Sequence, residues 1–268
     1  MIKGVPEPID YKPAPDPNAS PLILIPVTAE DVARKRRRLI LMWLAPVLAL
    51  AAGAGWIYKR ERDPQLAQES FDAGQKLLAV ARYSQAILSF DRTISLAPGY
   101  ADAYLMRGRA RMAQYEGDQA VADFSKAIGL RPGDTRPLLD RARAYLLTKK
   151  YNPAIADATT ALAIDPNLAA AYNLRGMARR ELGNPRQALE DFQHAVTLAP
   201  EADNYYQRGA TYQLLGEHRL AIADFSQNIE FHPDSAQGYF ARAESERALG
   251  DEQAAKKDHL QGRILDGR

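Results

Sequence analysis

Residues 101–134 read ADAYLMRGRARMAQYEGDQAVADFSKAIGLRPGD, and the rest of the chain repeats their pattern. Pro98, Pro132, Pro166 and Pro200 fall 34 residues apart, and Pro233 follows 33 later. Inside the unit, Tyr104, Gly108, Ala120, Phe124, Ala127 and Pro132 return as Tyr172, Gly176, Ala188, Phe192, Ala195 and Pro200. Two helices joined by a tight turn need small residues where their axes cross, a large apolar residue to fill the gap, and a proline to stop the second helix. The pattern supplies each in that order, so the expected fold class is all-α.

The unit resembles the tetratricopeptide repeat, a helix-turn-helix of this length with this order of Gly, Ala, aromatic and Pro. Units run over 67–100, 101–134, 135–168, 169–201 and 202–235. The small residue of the first helix is Gly74, Gly108, Ala142, Gly176 and Gly209, and the alanine of the second is Ala86, Ala120, Ala154, Ala188 and Ala221. Three places after the small residue stand Leu77, Tyr145 and Tyr212, but Arg111 and Arg179 depart from the family's large residue there. A sixth unit, 236–268, begins with Tyr239 and Ala243 and then degrades at Glu246, His259, Gly262 and Gly267. A terminal repeat has one face without a neighbour, so this unit reads as a C-terminal cap. The resemblance implies an α-solenoid that binds other proteins and needs no cofactor.

Spacing alone predicts an ion-pair ladder. Arg107, Arg141, Arg175, Arg208 and Arg242 each precede an aspartate by 16 residues, namely Asp123, Asp157, Asp191, Asp224 and Asp258. Across an antiparallel helix pair whose turn lies midway, such residues sit at one height and can meet, within a unit or across to the next. A structural ladder that sets stacking register and a functional basic stripe are both open on this pattern.

Leu39 to Tyr58 is an uncharged run of 20 residues. As a helix rising ~1.5 Å per residue it spans ~30 Å, the hydrocarbon thickness of a bilayer. Pro46, Gly53 and Gly55 are tolerated in such a helix, and Trp43, Trp56 and Tyr58 lie toward its ends, where interfacial aromatics are favoured. One transmembrane helix is expected before the solenoid. Arg34, Lys35, Arg36, Arg37 and Arg38 precede it, against Lys59, Arg60 and Arg62 after it, which favours a cytoplasmic N-terminus with the repeats across the membrane, periplasmic in a bacterial inner membrane. The competing reading is a cleaved signal peptide with its site at Ala49-Leu50-Ala51, although the apolar run continues past it.

Residues 1–30 contain seven prolines and the apolar run Leu22 to Ile25, which suits a spacer or a partner-docking tail. The expected organisation is a tail with its basic cluster over 1–38, the span over 39–58, a linker over 59–66 and the array over 67–268. Asp63-Pro64, Asn152-Pro153 and Asn184-Pro185 look like helix caps followed by an N1 proline, Gln187 adds a capping-box spacing, and Gly183, Gly216 and Gly250 look like left-handed helix ends.

Net charge is +2, which argues against a nucleic-acid binder, and the absence of cysteine excludes thiol chemistry and Cys-ligated metals. His194, His218, His232 and His259 include no i, i+4 pair of the kind that holds zinc on a helix, and no phosphate loop or nucleophile elbow is present. The chain is not expected to be an enzyme or to hold a metal. By resemblance, the second, fifth, ninth and twelfth places of each unit face a concave groove. That lining includes Leu105, Arg109, Met112, Arg136, Leu139, Arg143, Asn173, Met177, Arg180 and Tyr206. The arginines could hold an acidic segment, or stand solvated and offset by Asp102, Asp140 and Glu181. Met106 and Asp140 occupy two places of the Lys and Asn set with which some members clamp a chaperone's carboxylate, so that role is not expected. An assembly or quality-control factor for membrane or exported proteins and a stoichiometric subunit of a membrane complex are the two functional expectations.

Overall fold

The computed structural model describes residues 63–267, with 30, 34, 37 and 44 as isolated positions. The proline-rich tail, the apolar span as a whole and the cleavage motif lie outside the described residues. Among those described, no helix is long and apolar enough to cross a membrane.

The array is helical throughout: α1 (63–79), α2 (Tyr83–Leu96), α3 (Ala101–Ala113), α4 (Gly117–Leu130), α5 (Thr135–Leu147), α6 (Tyr151–Ile164), α7 (Ala169–Glu181), α8 (Pro185–Leu198), α9 (Ala202–Leu214), α10 (His218–Phe231), α11 (Ala236–Ala248) and α12 (Glu252–Leu265). From α3 onward the first helices have 13 residues, and every second helix has 14. The shorter spacing to Pro233 is a loop deletion. Units connect through 97–100, 131–134, 165–168 and 232–235, but α8 joins α9 through 199–201 alone.

Each helix packs on the next, and α3, α5, α7, α9 and α11 also touch in sequence, whereas the second helices α2 to α12 make no such contacts with one another. First helices that meet while second helices splay apart must lie on the inner side of the curve. The core is a series of small clusters, and a phenylalanine closes the helix crossing in most units. Phe90, Phe124, Phe192 and Phe225 are fully buried, and their rings press on Gly74, Gly108, Gly176 and Gly209. The third unit solves the same crossing with Ala142 and Ala158, both buried, trading a large and an absent side chain for two small ones. In the sixth unit Phe240 lies over Gly262.

The turn inside every unit needs one left-handed residue. Gly183, Gly216 and Gly250 have φ of +80°, +78° and +83°, as expected, but Ala81, Tyr115 and Lys149 hold the same place at +57°, +64° and +57°. The expected caps differ from what forms. Asp63 is already helical, inside α1 rather than before it. The α6 helix starts at Tyr151 with Lys150 before it, which leaves Asn152 and Pro153 inside the first turn. Pro185 does open α8, but Asn184 makes no side-chain cap bond. Packing at the repeat period, acting equally on Tyr151 and Pro185, sets these starts more strongly than local cap residues do.

The sixth unit is geometrically complete yet polar outside. Where Ile229 lies against Gly238 of the following unit, α12 carries Arg263 at the equivalent place, and Arg263 and Lys256 are both exposed. Charged side chains at these places do not offer a further unit the apolar face that Ile229 offers α11.

Candidate binding cleft

The ladder residues meet within their own units. Arg107 forks onto Asp123 at 3.0 and 2.6 Å, Arg141 onto Asp157 at 2.8 and 2.7 Å, Arg208 onto Asp224 at 2.8 and 2.7 Å, and Arg242 onto Asp258 at 2.5 and 3.0 Å. Arg175 reaches Asp191 at 2.7 Å. All five aspartates are buried. Hydrogen bonds to them hold the guanidinium groups of Arg141, Arg208 and Arg242 above the ordinary arginine value. A third nitrogen reaches the preceding unit: Arg107 bonds Asp91, Arg141 bonds Ser125 at 2.7 Å and Arg242 bonds Ser226 at 2.9 Å. Each such arginine therefore ties its own two helices to the second helix before them. Arg111 and Arg179 are explained by the same acceptors, donating to Asp123 and Asp191 at 2.8 Å. In two other units the ring of Tyr145 or Tyr212 takes that place beside Arg141 or Arg208.

The inner surface differs from the lining that the resemblance implies. Leu105 is 1% exposed and sits in the core with Tyr104, Ala120 and Phe124, so it is not available to a partner. Met112 and Leu139 are half-buried against core clusters, and the Tyr206 ring lies 5.6 Å from that of Phe225. Three of the arginines are held by acids of the array. Arg109 and Arg143 share Asp140 at 2.5 and 2.8 Å, and Arg136 bonds Asp134 and Asp102 at 2.6 and 2.8 Å. Asp102 and Asp140 thus offset these arginines, while Glu181 makes no such bridge. Arg180 alone of the set lies among neutral partners. It donates to the Gln207 carbonyl at 3.2 Å and to Gln207 Oε1 at 2.8 Å, and stands over the Phe192 ring at 5.5 Å. Burial pushes its pKa below the ordinary arginine value.

A cleft of about 560 Å³ opens between α5, α7 and α9. Leu146, Leu147, Ala170 and Met177 supply apolar wall, Arg143 stands on one side, and Glu201 and Asp203 stand on the other. Of the expected groove residues, the cleft brings together Arg143, Asn173 and Met177. The expectation omitted Asn204, Gln207, Glu201 and Leu147, and the twelfth place of the third unit, Leu146, does line the cleft.

Asn204 is the residue around which this wall is built. It is 6% exposed, at a place where other units carry Ala103, Pro137, Ala171 and Gly238. Its Nδ2 donates to the carbonyls of Ala199 at 2.8 Å and Ala195 at 3.4 Å, and its Oδ1 accepts from Asn173 Nδ2 at 2.6 Å. The shortened loop 199–201 lies at the same place. A polar residue where four other units carry Ala103, Pro137, Ala171 and Gly238, next to the one irregular spacing, was the available sequence signal.

Against known proteins, residues 169–202 match the tetratricopeptide repeat family model. No curated protein matches the chain in sequence. Among solved structures the chain is similar to PilW, a type IV pilus biogenesis factor, at TM-score 0.69 and 18% identity over 75% of this chain and 93% of that one. It is also similar to PilF of Pseudomonas aeruginosa, at TM-score 0.67 and 16% identity over 76% and 93%. YrrB, a repeat protein with an unusual peptide-binding site, aligns at TM-score 0.53 and 19% identity over 66% and 91%. At these identities the likeness concerns the fold.

Proposed function

From the premise that this chain carries tetratricopeptide repeats in an all-α solenoid, we propose that it is a membrane-anchored scaffold whose α5–α7–α9 cleft takes an extended segment of a partner protein. The carrying observation is the cleft itself, an apolar trough with charged ends on the inner side of the array. A concave, largely apolar surface with a few fixed polar groups is the usual form of a peptide site. The run Leu39 to Tyr58 supports the anchor, and its basic flank supports an N-terminus in the cytoplasm and an array in the periplasm. So placed, the array meets membrane-inserting or exported chains, and its role is in their assembly or quality control. That PilW is a type IV pilus biogenesis factor is in keeping with that reading.

One observation favours a second reading, a stoichiometric subunit of a membrane complex. Leu260 and Ile264 are exposed one turn apart on α12, away from the cleft, where an earlier unit has Ser226 and Glu230. The native membrane solubilised in mild detergent separates the two. Copurification of one or a few membrane proteins at constant ratio, surviving Met177→Glu in the cleft, establishes the subunit. A salt-sensitive set of clients lost with Met177→Glu establishes the assembly factor.

A further inference from the structure

The polar groups of the cleft are fixed in opposite senses. Asn204 can bond the Ala199 and Ala195 carbonyls only through its amide nitrogen, so its oxygen must accept from Asn173. Asn173 spends one amide hydrogen in that bond and lines the cleft with its remaining hydrogen-bonding groups, the Oδ1 acceptor among them. Gln207 is held the other way. Its Oε1 accepts from Arg180, so its Nε2 amide is left to donate into the same cleft. One oriented acceptor and one oriented donor on a single wall match the alternating N–H and C=O of an extended main chain.

The charges are likewise sorted. Arg143 faces the cleft already bonded to Asp140, whereas Glu201 and Asp203 stand exposed at the other end and form no salt bridge among the described residues. At that end of the mouth, the first turn of α9, the uncompensated charge is therefore negative.

We infer that the cleft binds an extended polypeptide segment through its main chain, read by Asn173 and Gln207, with a lysine or arginine of the segment placed against Glu201 and Asp203. Asn204 and Arg180 are positioning residues that set the two amides. This rests on the reading of the cleft as a peptide site and reverses the charge expected from a stripe of concave arginines, because Asp102, Asp134 and Asp140 already hold those.

The test selects short random peptides displayed on phage against the full chain in detergent micelles, then titrates the synthesised, fluorescein-labelled binders by anisotropy. Lysine or arginine should be enriched at one position, and Glu201→Gln with Asp203→Asn should weaken the binder about tenfold or more. N-methylation at one peptide bond should weaken binding to the unaltered chain by about fivefold and add nothing further on Asn173→Ala, since the lost hydrogen bond is the same one. All three substitutions lie on exposed or half-exposed positions, and circular dichroism checks that helicity is kept. Binders that are lost on Met177→Glu but are enriched in acids, or indifferent to the Glu201 and Asp203 changes, overturn the inference while the peptide cleft stands. Binders unaffected by Met177→Glu, or no binders at all, overturn both.

Discussion

The Phe124 ring occupies the space that a side chain on Gly108 would need: a Cβ there would lie 2.5 Å from its Cε1. Alanine ordinarily gains up to ~1 kcal/mol over glycine inside a helix. Overpacking a fixed core costs about 1–3 kcal/mol, so the clash wins. Gly108→Ala is expected to destabilise the array, and Phe124→Ala to cost about 3–5 kcal/mol through its cavity. The pair together should cost less than the sum, because Ala142 and Ala158 already make that crossing in the third unit. Urea unfolding of the two single variants and the double one measures the difference, and strict additivity would refute the account.

The ladder has unequal rungs. Asp157 takes its guanidinium from Arg141, with Tyr145 beside it, whereas Asp191 receives both Arg175 and Arg179. Removing the partner of a buried charge costs about 3–5 kcal/mol, and a second cation reduces that loss. Arg141→Ala should therefore lower the melting temperature more than Arg175→Ala does. Arg175→Ala should in turn leave peptide affinity almost unchanged, since its bonds run to α8 and away from the cleft. Equal melting shifts for the two variants would show that the second arginine does not compensate.

Lys149 sits at φ +57° in the turn between α5 and α6. A left-handed conformation costs an L-residue roughly 1–2 kcal/mol, and the freedom glycine adds to the unfolded chain takes back about 0.4–1 kcal/mol. Lys149→Gly should stabilise the third unit by about 0.5–1 kcal/mol, and Gly183→Ala in the next unit should do the reverse. Hydrogen exchange of the α5 and α6 amides reports the first locally, and slower exchange is the expected result.

The period of 34 made most of the fold legible, because Gly108, Phe124 and Pro132 each stand for one packing requirement that recurs unit by unit. The ladder was legible for the same reason: Arg107 and Asp123 are equidistant from a turn. The cleft was less so. Arg109 and Asp140 meet side by side on α3 and α5, neighbours in the curve with no fixed spacing across a turn, and a family position alone does not reveal which arginines the array has already neutralised. Leu105 was misplaced because one residue of rotation on a 13-residue helix separates lining from core. Asn204 could be read as an anomaly, but its role depends on where the shortened loop delivers the Ala199 carbonyl.

Glu246 stands in the cap where Arg111 and Arg179 stand in their units, and so it puts an acid next to Asp258 instead of a second cation. Burial raises its pKa above the ordinary glutamate value, with Asp258 and Asp251 adding to the shift and Arg242, 3.9 Å away, opposing it. Its Oε2 is buried without a hydrogen-bond partner. The sign follows from the folded state holding the proton more tightly than the unfolded one. The resulting stability is fully present below the ordinary glutamate pKa and is lost as pH rises through the raised folded value. The sixth unit should accordingly fray more readily at neutral pH than in mild acid, seen as faster exchange of α11 and α12 amides after correction for the intrinsic rate. Glu246→Gln should remove that pH dependence, because the neutral amide no longer titrates beside Asp258. Glu246→Arg should go further, restoring to Asp258 the second cation that Asp123 and Asp191 enjoy and raising the melting temperature at neutral pH. A cap whose exchange is flat across that window in the unaltered chain, or a Glu246→Arg variant that melts lower, would show that Arg242 alone already settles the charge.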